Sequence, residues 1–95
     1  MSASSPDDRY TLVIAPTARR QLTDVLPKAA ASAAYEFIVG PLLDNPHRLG
    51  KQLRAPLQDR WSARRGTYRV VYRIDGHLRT VTALDVAQRR DAYRT

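Results

Sequence analysis

Between Tyr68 and Ile74 the side chains alternate with period two. Tyr68, Val70, Tyr72 and Ile74 fall on one side, and Arg69 and Arg73 on the other. A strand patterned in this way has one face for a core and one for water or a charged ligand. Asp75-Gly76 follows, a dipeptide that favours a two-residue hairpin because both turn positions then take positive φ. The return strand is expected over His77–Val86, and Trp61–Arg65 reads as a further strand before the central one. The C-terminal half is therefore expected to be an antiparallel meander with one apolar face and one cationic face.

The N-terminal half carries the elements that cover the apolar face. Arg9–Ala15 reads as a strand, with Tyr10, Leu12 and Ile14 on one side. Pro16 ends it, and Thr17 is a plausible N-cap for a helix through Ala18, Leu22 and Leu26. Pro27 breaks that helix and suits the first position of the next. A second, alanine-rich helix is expected from about Lys28 to Leu43, with Ala30, Ala34, Phe37 and Ile38 at helical spacing. Gly40-Pro41 is expected to kink or shorten it, and Asn45-Pro46 to end it, with a loop through His47–Gly50. Gln88–Thr95 reads as a short C-terminal helix. The fold class is α+β, with two helices on one face of a small antiparallel sheet. Residues 1–8 read as a disordered lead-in, and 9–95 as one domain.

Charge divides the chain as sharply as hydropathy does. Residues 1–47 hold four basic and five acidic groups. Residues 48–95 hold twelve basic and four acidic groups, a net of +8 within an overall +7. Fourteen of the sixteen cations are Arg, the side chain whose planar fork grips phosphate or carboxylate. Arg60, Arg64, Arg69, Arg73 and Arg79 are expected to converge on the sheet face away from the helices, with Arg89, Arg90 and Arg94 just beyond the last strand. That arrangement is either a phosphate cradle or a set of solvated arginines, and crowding of like charge favours an anion between them. RNA is the expected polyanion.

Other chemistries have little support. There is no cysteine, which removes disulfides, thiol nucleophiles and thiolate metal sites. His47 and His77 lack metal-ligand spacing, and Asp59, Asp75, Asp85 and Asp91 are too dispersed for a carboxylate pair. No metal or cofactor is expected. No apolar run approaches the roughly 20 residues of a membrane span, and the N-terminus lacks the features of a secretory signal. The expected location is cytoplasmic, with no membrane partner. Trp61 either stacks on a base or packs in the core. Leucines between Leu49 and Leu57 read as packing, and Lys51 and Arg54 as a basic rim.

An arginine site without metal can still cleave RNA, because the 2′-OH is an internal nucleophile. The protein must align the reacting atoms and offset charge on the phosphoryl oxygens. It must also accept a proton. With a pKa above 12, Arg is poorly suited. Tyr93 among cations is better suited, though it reads equally as a residue packing the last helix.

Three segments together resemble the RelE/ParE superfamily of bacterial toxins, and RelE-type toxins within it. They are Asn45-Pro-His-Arg-Leu-Gly-Lys-Gln-Leu-Arg54, Trp61-Ser-Ala-Arg-Arg-Gly-Thr-Tyr-Arg-Val-Val-Tyr-Arg-Ile74 and Ala87-Gln-Arg-Arg-Asp-Ala-Tyr-Arg94. The resemblance implies a toxin of a type II toxin–antitoxin system. Such a toxin is a metal-independent endoribonuclease that cuts mRNA on the ribosome and is neutralised by a RelB-like antitoxin wrapped around it. It also implies a toxin–antitoxin hetero-oligomer that binds operator DNA. By position, Arg69 matches the phosphate-contacting strand arginine, Arg89 the arginine assisting the transition state, and Tyr93 the tyrosine orienting or deprotonating the 2′-OH. Arg60 matches a basic strand residue, which completes the implied catalytic set. Lys51, Arg54, Arg64, Arg65, Arg73 and Arg90 are then expected to contact RNA or the ribosome. Ser62 stands where the best-known RelE type has a second catalytic lysine, and Gln88 where many relatives have histidine. The alternatives are a ParE-like gyrase inhibitor, a non-catalytic nucleic-acid-binding module, and a degenerate toxin that only binds its antitoxin.

Overall fold

The computed structural model describes residues 9–88. Residues 1–8 and the expected helix beyond Gln88 lie outside the described residues. The elements run β1 (Thr11–Ile14), α1 (Pro16–Arg20), α2 (Lys28–Phe37), α3 (Pro46–Leu49), β2 (Lys51–Gln52), β3 (Arg60–Arg65), β4 (Tyr68–Asp75) and β5 (Thr80–Gln88). The five strands form one sheet in the order β1-β5-β4-β3-β2. Strands β2 to β5 pair antiparallel, while β1 lies parallel to β5, Thr11 opposite Thr80 and Ile14 opposite Ala83. The helices cover one face.

Prolines set the helix boundaries, with details that differ from expectation. Ala15, not Thr17, is the N-cap of α1, and Pro16 takes the first turn. Its fixed φ already suits a helix, and its missing N–H belongs to a position with no intrahelical acceptor. Pro27 is the N-cap of α2, with extended ψ of 150°, rather than its first helical residue. Gly40-Pro41 does not shorten the second helix. The helix widens into a π-helical segment over Ile38–Leu42 with Pro41 inside it. Arg9 braces this segment. Its guanidinium donates to the Val39 carbonyl at 2.6 Å and pairs with Asp44 at 2.8 Å. The expected loop after Asn45 is instead the single turn α3, again begun by a proline, Pro46.

The core lies between the helices and the covered face of the sheet. Ala34, Phe37, Ile38 and Leu42 from the helices meet Ala63, Tyr68, Val70, Tyr72, Val81, Ala83 and Val86 from the strands. Fully buried Ala34 lets α2 approach closely. Two tyrosines bolt the layers together. Tyr68 donates its hydroxyl hydrogen to the Ala33 carbonyl at 3.1 Å, and Tyr72 donates to the Pro46 carbonyl at 2.6 Å. Burial pushes both phenols up, Tyr72 to about 12. Trp61 is half-buried on this side. It meets His47 edge-on at 5.2 Å, and His47 meets Tyr10 at 6.2 Å. Of its two readings, core packing is the one observed.

The β5 strand departs from strict alternation. Tyr72 pairs with Ala83 but Val71 with Asp85, so Leu84 is the extra residue of a bulge. The bulge shifts the side-chain phase by one. Val81, Ala83 and Val86 are therefore all buried, which unbroken alternation would forbid. Beyond Ala83, β5 has no β1 neighbour. Gln21 closes that edge: its Oε1 accepts from the Val86 N–H and its Nε2 donates to Asp85, both at 2.6 Å.

The hairpin at Asp75-Gly76 is also corrected. Asp75 pairs with Thr80, so the loop is Gly76–Arg79, and the return strand starts at Thr80 rather than His77. Asp75 Oδ1 accepts from the backbone N–H groups of His77 and Leu78, both at 3.0 Å. This side-chain turn replaces the tight backbone turn, and positive φ falls on Arg79, at 51°. A two-residue loop does occur between β3 and β4, at Gly66-Thr67, with Gly66 at φ 61°.

Candidate nucleic-acid interface

The uncovered face of the sheet is built from cross-strand arginine pairs. Arg64 lies opposite Arg69, Arg60 opposite Arg73, and Ser62 opposite Val71 between them. Directly opposed side chains in such a ladder have Cβ atoms about 4.5–5.5 Å apart, so each pair sends two arginine side chains off neighbouring positions of one face. On the far side of β3, Lys51 lies opposite Ser62.

That last neighbour depends on a glycine. The chain leaves α3 and passes over the Tyr72 hydroxyl at Gly50. A Cβ on Gly50 would stand 2.9 Å from the Ser62 carbonyl oxygen and closer still to the Tyr72 hydroxyl. Only glycine lets the backbone pass this closely, and the next residue, Lys51, is thereby paired with β3. Together, Arg48, Leu49, Gly50, Lys51, Leu53, Ser62, Arg64 and Arg69 line a groove of about 560 Å³. Four of these residues are cations and none is a carboxylate. Arg48 is not among the expected contacts. Its signal is Pro46 at a helix start, which turns the supposed loop into a helical turn leading onto β3.

The other end of the ladder is different. Asp59, just before β3, reaches both arginines there: its Oδ1 lies 3.9 Å from Arg60 Nε and its Oδ2 3.8 Å from Arg73 Nη1. Arg60 Nε is itself buried and has no hydrogen-bond partner.

The expected site residues are therefore sorted. Lys51, Arg64 and Arg69 come together in the groove. Arg60 and Arg73 share the uncovered face but form its Asp59 end. Arg54 sits exposed in the loop after β2 and does not line the groove. Arg65 stands apart, because alternation turns it to the covered side, opposite Tyr68, where its guanidinium lies 5.1 Å from the centre of the Phe37 ring. Arg79 is likewise not part of the arginine face: it closes the β4–β5 loop and stacks over Tyr10 at 4.6 Å. Arg89, Arg90, Tyr93 and Arg94 lie outside the described residues. The last described residue, Gln88, pairs with Tyr68, and Ala87 with Arg69, so the described part of β5 ends beside the Arg64–Arg69 pair. Among the described residues, no group of three or more His, Asp or Glu side chains is placed to hold a metal ion, and no helix is long and apolar enough to cross a membrane.

A small α+β sheet with one helix-covered face and one arginine face defines a class of small basic proteins, and comparison narrows it. The family described as the ParE toxin of the type II toxin–antitoxin system matches residues 12–93. Toxin RelE of Mycobacterium tuberculosis is 50% identical over 90 residues, covering 95% of this chain and 92% of that protein. Toxin RelG of the same organism is 48% identical, covering 90% of this chain and 97% of that protein. Among solved structures, a chain of the toxin–antitoxin complex RelBE2 from Mycobacterium tuberculosis superposes with a TM-score of 0.81 at 47% identity, covering 85% of this chain and 99% of that one. The chain belongs to the RelE/ParE superfamily of type II toxin–antitoxin toxins, and to its RelE-type branch.

Proposed function

We propose that the carboxylate-free groove beside Arg64 and Arg69 seats the scissile phosphate of an mRNA, and that this chain cleaves it. The protein is an mRNA-cleaving toxin, an endoribonuclease of a type II toxin–antitoxin system. The observation that carries the reading is the open arginine pair, flanked by Lys51 and Arg48 and faced by no acid in the groove. Two adjacent guanidiniums are costly to hold together without an anion. They suit a phosphoryl group whose negative charge grows in the transition state.

The reaction needs no external nucleophile. The 2′-oxygen of the upstream nucleotide attacks phosphorus, the bond to the 5′-oxygen breaks, and the products are a 2′,3′-cyclic phosphate and a 5′-hydroxyl. Arg69 holds the non-bridging oxygens. Tyr93 orients the 2′-OH and takes its proton, as a cationic surround favours. Arg89 offsets charge on the leaving 5′-oxygen, which takes its proton from solvent water. Both residues follow β5 in the sequence, and the last described residues of β5 lie at this end. Arg60 adds positive charge along the strand. Lys51, Arg54, Arg64, Arg73 and Arg90 contact the flanking RNA and the ribosome. The ribosome aligns the message, and no resident cofactor takes part. A RelB-like antitoxin is the cognate partner, in keeping with the toxin–antitoxin complex formed by the RelBE2 relative. The assembled pair binds operator DNA.

The test is incubation with programmed ribosomes and mapping of mRNA 5′ ends. Codon-phased cuts that disappear in Arg69→Ala, Arg89→Ala and Tyr93→Phe are expected. Intact message together with loss of gyrase supercoiling would replace this reading with a ParE-like one. Salt-sensitive RNA binding with neither activity would leave a binding module.

A further inference from the structure

The two arginine pairs of the ladder differ in one respect, which is the presence of Asp59. We propose that Arg60 and Arg73 form a second phosphate site, stoppered in the free protein by the Asp59 carboxylate and opened when a bound RNA strand displaces it. The inference rests on the reading of the uncovered face as an RNA surface, and it extends that reading to a site with its own condition for occupancy.

The geometry is that of a loosely held stand-in. Each Asp59 oxygen faces a different guanidinium, at 3.9 Å and 3.8 Å. Both distances exceed hydrogen-bonding range, so the carboxylate offsets charge without engaging the donors. Arg60 Nε, buried and without a partner, is a donor left over. A buried unpaired donor is costly. A phosphate presents more acceptor oxygens than a carboxylate, in a wider arc. It can make the short charge-assisted bonds that Asp59 does not. Exchange of Asp59 for phosphate then replaces two loose contacts with close ones.

Occupancy is conditional because Asp59 competes from within the chain. A lone phosphate must displace a tethered carboxylate. A strand already held at Arg64–Arg69 presents its next phosphates at high local concentration. The two sites share one face, and Arg69 and Arg73 are four residues apart on β4, roughly 13 Å at strand rise. A single chain of phosphates can span both. Asp59 therefore favours extended polyanions over small ones and holds the protein back from isolated phosphates.

The experiment uses the full chain and a 2′-O-methyl RNA decamer, which cannot be cleaved, with affinity read by fluorescence anisotropy across a salt series. Asp59→Asn is expected to tighten binding roughly threefold to tenfold at low salt and to steepen the log–log salt slope by up to about one, as fuller occupancy of one phosphate contact would. Asp24→Asn, an equal change of net charge on an exposed residue of the π-helical turn Gln21–Val25 that follows α1, is expected to leave the slope unchanged. Arg73→Ala is expected to weaken decamer binding in the native background by less than it does in the Asp59→Asn background, where it erases the gain. A 5′-mononucleotide, which has no second phosphate held nearby to displace Asp59, is expected to gain more from Asp59→Asn than the decamer does. Equal effects of Asp59→Asn and Asp24→Asn, or a gain that survives Arg73→Ala, would overturn the proposal. An inorganic polyphosphate chain separates it from the RNA reading. If ribosomes yield no cuts but polyphosphate shows the Arg73-dependent gain, the site stands and the nuclease reading falls. If cuts appear while Asp59→Asn is silent with both polymers, the nuclease reading stands and the site falls.

Discussion

Strand β4 shows two environments within eight residues. Tyr68, Val70 and Tyr72 are buried under the helices, while Arg69 and Arg73 between them are exposed. On the covered face the polar groups that β4 brings in are matched: the Tyr68 and Tyr72 hydroxyls each find a carbonyl. On the uncovered face, like charges stand opposite one another, relieved at one end only by Asp59. The first arrangement holds the chain together. The second gives up stability to keep cationic groups available, as expected of a surface organised for a charged ligand.

Substitutions that move the two faces independently put this contrast at risk. The largest effect is expected for Tyr72→Ala, which empties a fully buried site and abandons the Pro46 carbonyl. Loss of about 3–5 kcal/mol is expected from the urea midpoint. Next is the alkaline response of the same residue. The Tyr72 phenol is raised to about 12 in the folded chain by burial, against an ordinary 10.0. The folded state therefore keeps a proton that the unfolded state releases, and this stability is fully present below pH 10 and lost as pH rises toward 12. About 2 kcal/mol should disappear over that window. Tyr72→Phe, already weaker at pH 7 through its lost hydrogen bond, should show most of that slope removed in urea titrations at pH 9 to 12. Tyr68, shifted in the same direction, supplies what remains.

Smaller effects separate neighbours. Arg65→Ala should cost about 0.5–1 kcal/mol through its lost stacking on Phe37 and leave RNA affinity intact. Arg64→Ala, one residue away, should leave the urea midpoint in place and lower the salt slope of RNA binding by about one. Equal RNA effects from both would erase the distinction between the faces. The smallest effect is expected for Arg69→Ala. Relief of the Arg64–Arg69 repulsion should raise stability by about 0.2–0.5 kcal/mol, even as RNA binding weakens. A clear loss of stability would show that the pair is held by something other than a ligand-ready surface.

Much of the fold and of the arginine face is legible in the order of residues. The alternation in Tyr68–Ile74 assigns β4 its two faces, and the prolines mark where helices begin or change. The same alternation, carried through Trp61, Ala63 and Arg65, separates Arg65 from Arg64, a distinction that charge counting overlooks. Other features have no local signature. The bulge at Leu84 follows from which residues of β5 find room under the helices. The Asp75 loop is longer than expected because a side-chain carboxylate competes with the backbone for turn hydrogen bonds. The parallel seating of β1 on β5 joins segments about seventy residues apart, and nothing in either segment specifies the other.

Composition and the two-residue repeat are enough to divide this chain into a neutral scaffold half and a cationic half, and to turn the arginines of its central strand away from its core. The backbone imposes that repeat locally, residue by residue. Which arginines are open and which are engaged is settled by packing. Arg64 and Arg69 face a groove that Gly50 allows Lys51 to enter, Arg60 and Arg73 face Asp59, and Arg65 and Arg79 stack on aromatic rings. The availability of a charge depends on what other strands and loops bring beside it, and that is a property of the tertiary fold rather than of the order of residues along the chain.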